Sequence, residues 1–545
     1  MKRARPALDL EALTAIVEQT RSRALNETEH RALEAALARL AELACELEKK
    51  RTSIQRLQQL LFGAKTEKTE NVLPHPPSEQ NTEPSTTGDG EGSGEAAEKK
   101  EKTRPGHGRN GAEDYPGAEQ VEVKHPALSA GEACPLADCE GRLSRLRDPG
   151  VILRVRGTPP LSATLYSLEK LRCSLCGTLF TAPPPEGIAE HKYEVTAASM
   201  IACLKYGAGF PFNRLEKLQD NLGIPLPAST QWDIVHAVCV RIQPAWEALL
   251  EAAAQGEVLH NDDTPMKILE LMGQRGQPQG QSPDAGGRSG IFTSGVLSKH
   301  PDHSIALFFT GRQHAGENLQ SVLEQRSREL GPPIQMCDGL SRNLPKELQT
   351  LLANCLSHGR RYFVDVVANF PDECRFVLET LGTVYTHDAR ARDENLSPEE
   401  RLLLHQRQSG PPMEALRKWL KCQIDEHRVE PNSGVGQAIT YMRNHWQALT
   451  LFLRAPGAPL DNNICERLLK KAILHRKNAL FYKTQNGARV GDLFMSLIHT
   501  AELSGVNAFD YLCTLQRHST QLHQDPAQWM PWNYQQTLQR IAAQP

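Results

Sequence analysis

At 545 residues, 39% hydrophobic and 23% charged, the chain is several times the size of one domain, so three or four folded units are expected and not a single core. No stretch approaches the apolar length of a membrane span, and Asp9 and Glu11 interrupt the basic N-terminus before any apolar core of a secretory signal; a membrane protein and an exported one are both excluded, and the cytoplasm is the expected location. A net charge of −3 excludes a wholly basic nucleic-acid coat, so DNA contact has to come from local patches.

In chain order, a helix is expected to start at Asn26, whose side chain caps while Glu29 reaches back three residues later. Leu33, Leu40, Leu47, Ile54 and Leu61 then fall every seventh residue, with Leu37 and Ala44 at the partner position. That spacing predicts a coiled coil, and with it a homo-oligomer; the alternative is an amphipathic helix packed on its own protein. Residues 78–101 hold no Val, Ile, Leu or Phe, so they cannot bury enough surface to offset their ordering entropy and read as a flexible linker.

Beyond residue 121 short alternating runs, 151–155 and 163–167, read as strands between two cysteine pairs. Of the thirteen cysteines only four are paired by spacing: Cys134 with Cys139, and Cys173 with Cys176, the latter followed by Gly177. Four thiolates on two tight turns suit a structural, tetrahedral Zn²⁺, against the alternative of four unrelated cysteines in a reducing cell. Next come two helices, Phe212 to Asn221 and residues 229–240 with Ser229 as the cap, joined by a glycine-containing turn. This is the outline of a DNA-reading helix-turn-helix and equally of an ordinary helical hairpin.

A strand over 258–260 runs into Asn261-Asp262-Asp263-Thr264-Pro265; strands over 289–298 and 304–310, a helix over 314–328 and a strand over 333–337 ending on Asp338 follow. The loop at 274–288, rich in Gly, Gln and Pro, reads as a surface insertion. Strand, strand, strand, helix, strand, with a carboxylate leaving the first and fourth strands, is the order of the ribonuclease-H-like fold, in which those two strands are neighbours. Two carboxylates that close repel unless a divalent cation sits between them.

A third acid, Glu466, lies inside a helix that Asp461 or Asn462 caps. Between residues 460 and 490 seven Lys or Arg face two acids; Arg467, Lys470, Lys471, Arg476 and Lys477 within this run are the candidates for phosphate contact. Cys355 and His358 form a CxxH, half a zinc site, and read better as a strand packing beside the catalytic edge. Residues 366–454 are helical in pattern.

The run DNNICERLLKKAILHRKNALFYKT (461–484) resembles the third-carboxylate motif of the insertion-sequence-66 family of DDE transposases, and HNDDTP (260–265) and CDG (337–339) resemble its first and second. LFGAKTEK (61–68), the double cysteine pair, KYGAGFPFNRLEKLQDNLGIPLPAST (205–230) and CLSHGRRYF (355–363) match in the expected order. The family has Glu where this chain has Asp263, which leaves the register between Asp262 and Asp263 open, and the first cysteine pair is wider than usual.

The resemblance implies a metal-dependent DNA transposase that cleaves element ends and transfers them to target DNA. It implies Asp262, Asp338 and Glu466 as ligands of two Mg²⁺ (or Mn²⁺) ions. Double-stranded DNA and accessory proteins of the same element are the implied partners, in the nucleoid. A catalytically silent DNA-binding relic and a structure-specific nuclease are the rival functions. The expected architecture is multidomain α+β: a coiled coil (1–62), linker (63–117), zinc-binding ribbon (118–186) and helical DNA-binding region (187–248), then a ribonuclease-H-like core (249–365 and 455–500) split by a helical insertion (366–454), and a C-terminal tail (501–545).

Overall fold

The computed structural model describes residues 23–34, 36, 160–172, 179–183, 185, 186, 192–272 and 290–543. Most of the leucine repeat, the linker, all four paired cysteines, the 151–155 strand and the 274–288 loop lie outside them. Residues 27–34 are helical, and Asn26 and Glu29 close the expected capping box: the Glu29 N–H donates to Asn26 Oδ1 at 2.9 Å and the Asn26 N–H to Glu29 Oε2 at 3.0 Å.

The expected strand at 163–167 is not one. Residues 162–169 are irregular, with Leu165 92% exposed, and pairing starts at β1 (Lys170–Arg172), antiparallel to β2 (Leu179–Thr181). Alternation alone forms no strand where no partner supplies the ladder. Helices α1 (Val195–Ala202), α2 (Phe212–Asn221) and α3 (Ala228–Ala254) follow. α2 has the expected limits. α3 runs 14 residues beyond residue 240, with Pro227 and not Ser229 at its N-cap and no side-chain cap bond.

A five-stranded mixed sheet forms the centre: β3 (Val258–Pro265), β4 (Phe292–Lys299), β5 (Ser304–Gly311), β6 (Ile334–Cys337) and β7 (Leu351–Asn354), in the order β5-β4-β3-β6-β7. β3 pairs antiparallel with β4 and parallel with β6, so the first and fourth strands are neighbours. Between β5 and β6 lies α4 (Ala315–Leu323), at whose start the His314 N–H donates to Glu317 Oε2 at 3.0 Å. β7 leads at once into α5 (Leu356–Val366), so the CxxH sits at a helix start and not on a strand.

Residues 366–454 are helical as expected: α6 (Pro371–Asp393), α7 (Pro398–Leu404), α8 (Gly410–Asp425), α9 (Gly434–Asn444) and α10 (Trp446–Leu449). The chain returns through α11 (Asn463–Ala479), α12 (Gln485–Leu503), α13 (Ala508–Arg517), α14 (Ser519–Gln524) and α15 (Tyr534–Ala542). The last three are no loose tail: Tyr511, Leu512 and Trp529 are buried in the core with α1 and α3. Adjacent residues of β3 serve opposite faces, as period-two alternation requires. Val258 joins Ile334, Met336 and the insertion helices, whereas Leu259 joins Leu249 and Leu319.

The outer edge, β5, presents unpaired N–H groups that would template aggregation if left open. α12 covers it with polar side chains four residues apart. Asp492 Oδ2 accepts the Thr310 N–H at 2.7 Å, Ser496 Oγ the Phe308 N–H at 3.0 Å and Thr500 Oγ1 the Ala306 N–H at 3.1 Å. The match is metric, because four helical residues rise ~6 Å and two strand residues ~6.7 Å.

Burial pushes Asp492 up to about 7, against the opposing pull of the Thr310 hydroxyl and N–H. The folded state therefore keeps this proton where the unfolded chain has lost it, so the group's stabilisation is complete at low pH and is lost as pH rises from the ordinary carboxylate range to about 7. Asp492→Asn should flatten the fall of stability with pH in that window by about 1.4 kcal/mol per pH unit, read from urea midpoints.

Candidate active site

β3 carries Asp262 and Asp263 next to each other, and alternation sends them to opposite faces. The β3–β6 ladder pairs Val258 with Ile334, Leu259 with Gln335 and His260 with Met336. Asp262 follows two residues later on β3, and Asp338 comes directly after the end of β6, beyond the last paired residues. Alternation puts Asp262 on the face of His260, and Asp338 lies near enough for its charge to act on Asp262.

α11 lies across that face, against β3 and β4. Its N-cap, Asn462, makes no cap bond with its side chain. Asn462 Oδ1 instead accepts from His260 Nδ1 at 3.0 Å, and its Nδ2 donates to the Asn261 carbonyl at 3.1 Å. Burial holds the His260 pKa down to about 4, so the ring is neutral and Nδ1 carries its proton toward Asn462. The local cap comes from Asp461, whose Oδ1 accepts the Asn463 N–H at 3.1 Å. The helix packs closely on Gly295, opposite Asp262 on β4: a Cβ there would stand 3.1 Å from Leu469, and Cys465 Sγ donates to the Gly295 carbonyl at 3.5 Å.

Glu466, in the first turn of α11, is thereby brought to the Asp262–Asp338 edge. Asp262 registers both neighbours: its pKa is pushed up to about 7, first by burial and then by the negative charges of Asp338, Asp263 and Glu466, although the Asp263 N–H donates to its Oδ1 at 2.8 Å. Asp338 is held by its own loop, accepting from Asn343 Nδ2 at 2.6 Å and from the Leu340 N–H at 3.1 Å. That loop is fixed from beneath, since the Asn343 carbonyl accepts from Asn261 Nδ2 and Gln335 Nε2, both at 2.7 Å.

Asp263 is occupied elsewhere. Its side chain is 1% exposed, 2.9 Å from His314 Nδ1 and 3.2 Å from an Arg342 guanidinium nitrogen, where it ties α4 to the Asp338 loop.

The tightest group of potential ligand atoms among the described residues is Cys355, His358 and Glu466, all within 4.8 Å of one another; Asp262 and Asp338 stand outside it. His358 Nε2 lies 3.8 Å from Glu466 Oε1, and that oxygen is buried with no hydrogen-bond partner. Cys355 links the two halves of the site. Its N–H donates to the Cys337 carbonyl at 3.0 Å, one residue before Asp338, and its Sγ accepts the Asn462 N–H at 3.2 Å. The sequence showed the CxxH but gave no sign of this bridge, because the bridge exists only once β6, α5 and α11 meet. Cys355→Ala leaves the Asn462 N–H buried and unpaired, and a denaturation curve should show a loss of about 1–3 kcal/mol.

The five basic residues divide. Arg476 donates to the Pro265 carbonyl and to Thr264 Oγ1, and Lys471 pairs with Glu502 at 3.2 Å, so both hold α11 in place. Arg467, Lys470 and Lys477 are exposed and form no ion pair with any described residue.

The family model described as "Transposase IS66 family" matches residues 192–490, more than half of the chain, and spans all three carboxylates and the insertion. Three proteins of Sinorhizobium fredii (strain NBRC 101917 / NGR234) are similar. Uncharacterized protein y4jD is 25% identical over 441 residues, 75% of this chain and 80% of that protein. Uncharacterized protein y4hP is 25% identical over 364 residues, 62% of each chain, and uncharacterized protein y4qI 24% identical over 350 residues, 61% of each. The chain thus spans about three-fifths of the length of the last two.

Proposed function

The chain belongs to the IS66 family of transposases, and from that premise we propose that it binds the ends of its element and catalyses metal-dependent cleavage and strand transfer of DNA through Asp262, Asp338 and Glu466. The observation that carries this reading is the parallel pairing of β3 with β6, which brings Asp262 and the Asp338 that follows β6 close enough for the charges of Asp338 and Glu466 to act on Asp262. The sheet order and the return of the chain after a helical insertion support a ribonuclease-H-like core split at 366–454.

A divalent cation fits the residues present. Half-buried carboxylates, with Asp262 raised first by burial and then by its acidic neighbours, and a buried Glu466 oxygen without a hydrogen-bond partner, are what an acidic cluster has before positive charge is added. Mg²⁺ or Mn²⁺ bound there would polarise the phosphodiester and lower the pKa of an attacking water or 3′-hydroxyl. Asp262, Asp338 and Glu466 would hold it, Asn343 orients Asp338, and the His260–Asn462 bond sets the start of the Glu466 helix. Arg467, Lys470 and Lys477 are free to neutralise phosphates, whereas Arg476 ties the helix to β3 and Lys471 pairs with Glu502 of α12.

Structural Zn²⁺ at Cys134, Cys139, Cys173 and Cys176, a dimer or larger oligomer through the leucine repeat, and DNA contact by the 187–248 helices complete the reading. Incubating the full chain with Mg²⁺ and labelled terminal DNA of its element tests it. Nicked ends that are joined to a second DNA are expected; cleavage without joining would make the protein a nuclease, and neither would leave a DNA-binding relic.

A further inference from the structure

α11 ends on Leu480 with φ 68° and ψ −42°, and the Phe481 N–H donates to the Ala479 carbonyl at 2.9 Å. This is the positive-φ γ-turn, a rare and strained conformation for a residue with a Cβ. Glycine takes such a position without penalty and commonly ends helices. The other non-glycine residues with positive φ among those described are Asn395 and His427, types that tolerate it far better than leucine does. The turn is clamped on both sides. The Leu480 N–H donates to the Arg476 carbonyl at 2.8 Å, and Tyr482, buried and stacked 5.0 Å from His475, exchanges backbone bonds with Lys267 and Leu269.

Burial does not account for the leucine either. Leu480 is 62% exposed and Phe481 beside it 40%. The exposed charged side chains on both sides, Lys477 and Lys483, are basic, and Arg467 and Lys470 continue the charge along the helix. Glu270, which touches this loop, accepts the Gln485 N–H at 2.7 Å. A strained turn thus displays two large apolar side chains in a basic surround, at a place where folding alone would favour a glycine followed by a polar residue.

We propose that Leu480 and Phe481 form an apolar wedge that inserts against the base stack of bound double-stranded DNA while the surrounding lysines hold its phosphates. The wedge rests on the DNA-binding reading above. Apolar side chains protruding from a cationic surface find their complement in the base stack, and wedges of this kind partly unstack a base step and bend the duplex.

The test uses the full chain carrying Glu466→Gln to block cleavage, and terminal DNA of the element with 2-aminopurine placed at successive positions. Fluorescence should rise at one step on binding. Adding Leu480→Gly with Phe481→Ser should abolish that rise and weaken binding roughly tenfold. Leu480→Gly alone should raise the thermal midpoint by roughly 2 °C or more as the strained turn relaxes. Unchanged fluorescence and affinity in the double variant would overturn the wedge while leaving DNA binding intact, and a lowered midpoint in Leu480→Gly would overturn it by making the leucine a folding residue. Absence of binding by the parent chain would remove the wedge together with the DNA-binding reading.

Discussion

Asp262→Asn, Asp338→Asn and Glu466→Gln should each lower cleavage and joining of terminal DNA by at least about 10²–10³-fold, the loss seen when one preorganised group facing a transition state is removed. Binding of that DNA should survive, because the exposed bases Arg467, Lys470 and Lys477 are untouched. The effects should not multiply in double variants, since residues that act on the same step as a unit are far from additive.

Asp263→Asn serves as the internal control. Its carboxylate sits on the opposite face of β3, between His314 and Arg342, so the change should cost stability and have a smaller effect on the rate. Single-turnover rates at saturating DNA, together with urea midpoints, separate the two losses. A fully active Glu466→Gln, or an Asp262→Asn that outperforms Asp263→Asn, would contradict the proposed site.

Arg401→Met should destabilise the protein by about 3–5 kcal/mol, the range for breaking one side of a buried ion pair. Arg401 Nε donates to Asp388 Oδ1 at 2.8 Å and a second guanidinium nitrogen reaches the same oxygen at 2.6 Å, with side chains only 17% and 12% exposed. Its third nitrogen donates to the Ala458 carbonyl at 2.8 Å, so the pair fastens α6 and α7 to the segment that leads into the Glu466 helix.

Burial opposes the charge on Asp388, but the bonds from His405 and Arg401 outweigh it and hold its pKa below the ordinary carboxylate range. The pair's stabilisation is therefore present at neutral pH and is lost as pH falls through the lowered value. The deficit of Arg401→Met should shrink in acid, where Asp388 takes up a proton, and Arg401→Met with Asp388→Leu should recover part of the loss at neutral pH. An Arg401→Met deficit under 1 kcal/mol at neutral pH would show that the pair is no better than a surface one.

Much of the fold was legible in the residues. The limits of α2, the Asn26 capping box, the sequence of strands around Asp262 and Asp338 and the helical character of 366–454 all follow from local chemistry: period, cap and breaker act within a few residues of themselves. Local signals failed where pairing decides. Residues 163–167 alternate as a strand does and form none, whereas Leu351–Asn354, four residues with no alternation to read, become a strand because β6 offers them a partner.

The candidate site shows the same division. The acids Asp262, Asp338 and Glu466 and the basic run were visible as residue types in an order, and that order was enough to place the chain beside its family. Which of two adjacent aspartates turns toward Asp338 was not visible, because it depends on the β3–β6 register, set by a strand more than 70 residues away. Nor could the sequence divide the five basic residues into Arg476, bonded to β3, Lys471, paired with Glu502 of α12, and the three that form no ion pair with a described residue; that depends on what packs around α11. Leu480 in the sequence is one more leucine after a helix, and only the clamp that Tyr482 makes with the 267–269 segment forces it into a positive φ and out into solvent. By itself the sequence determined the chemistry available and the local elements; the tertiary structure decided which side chains face one another, because facing is settled by long-range pairing and packing.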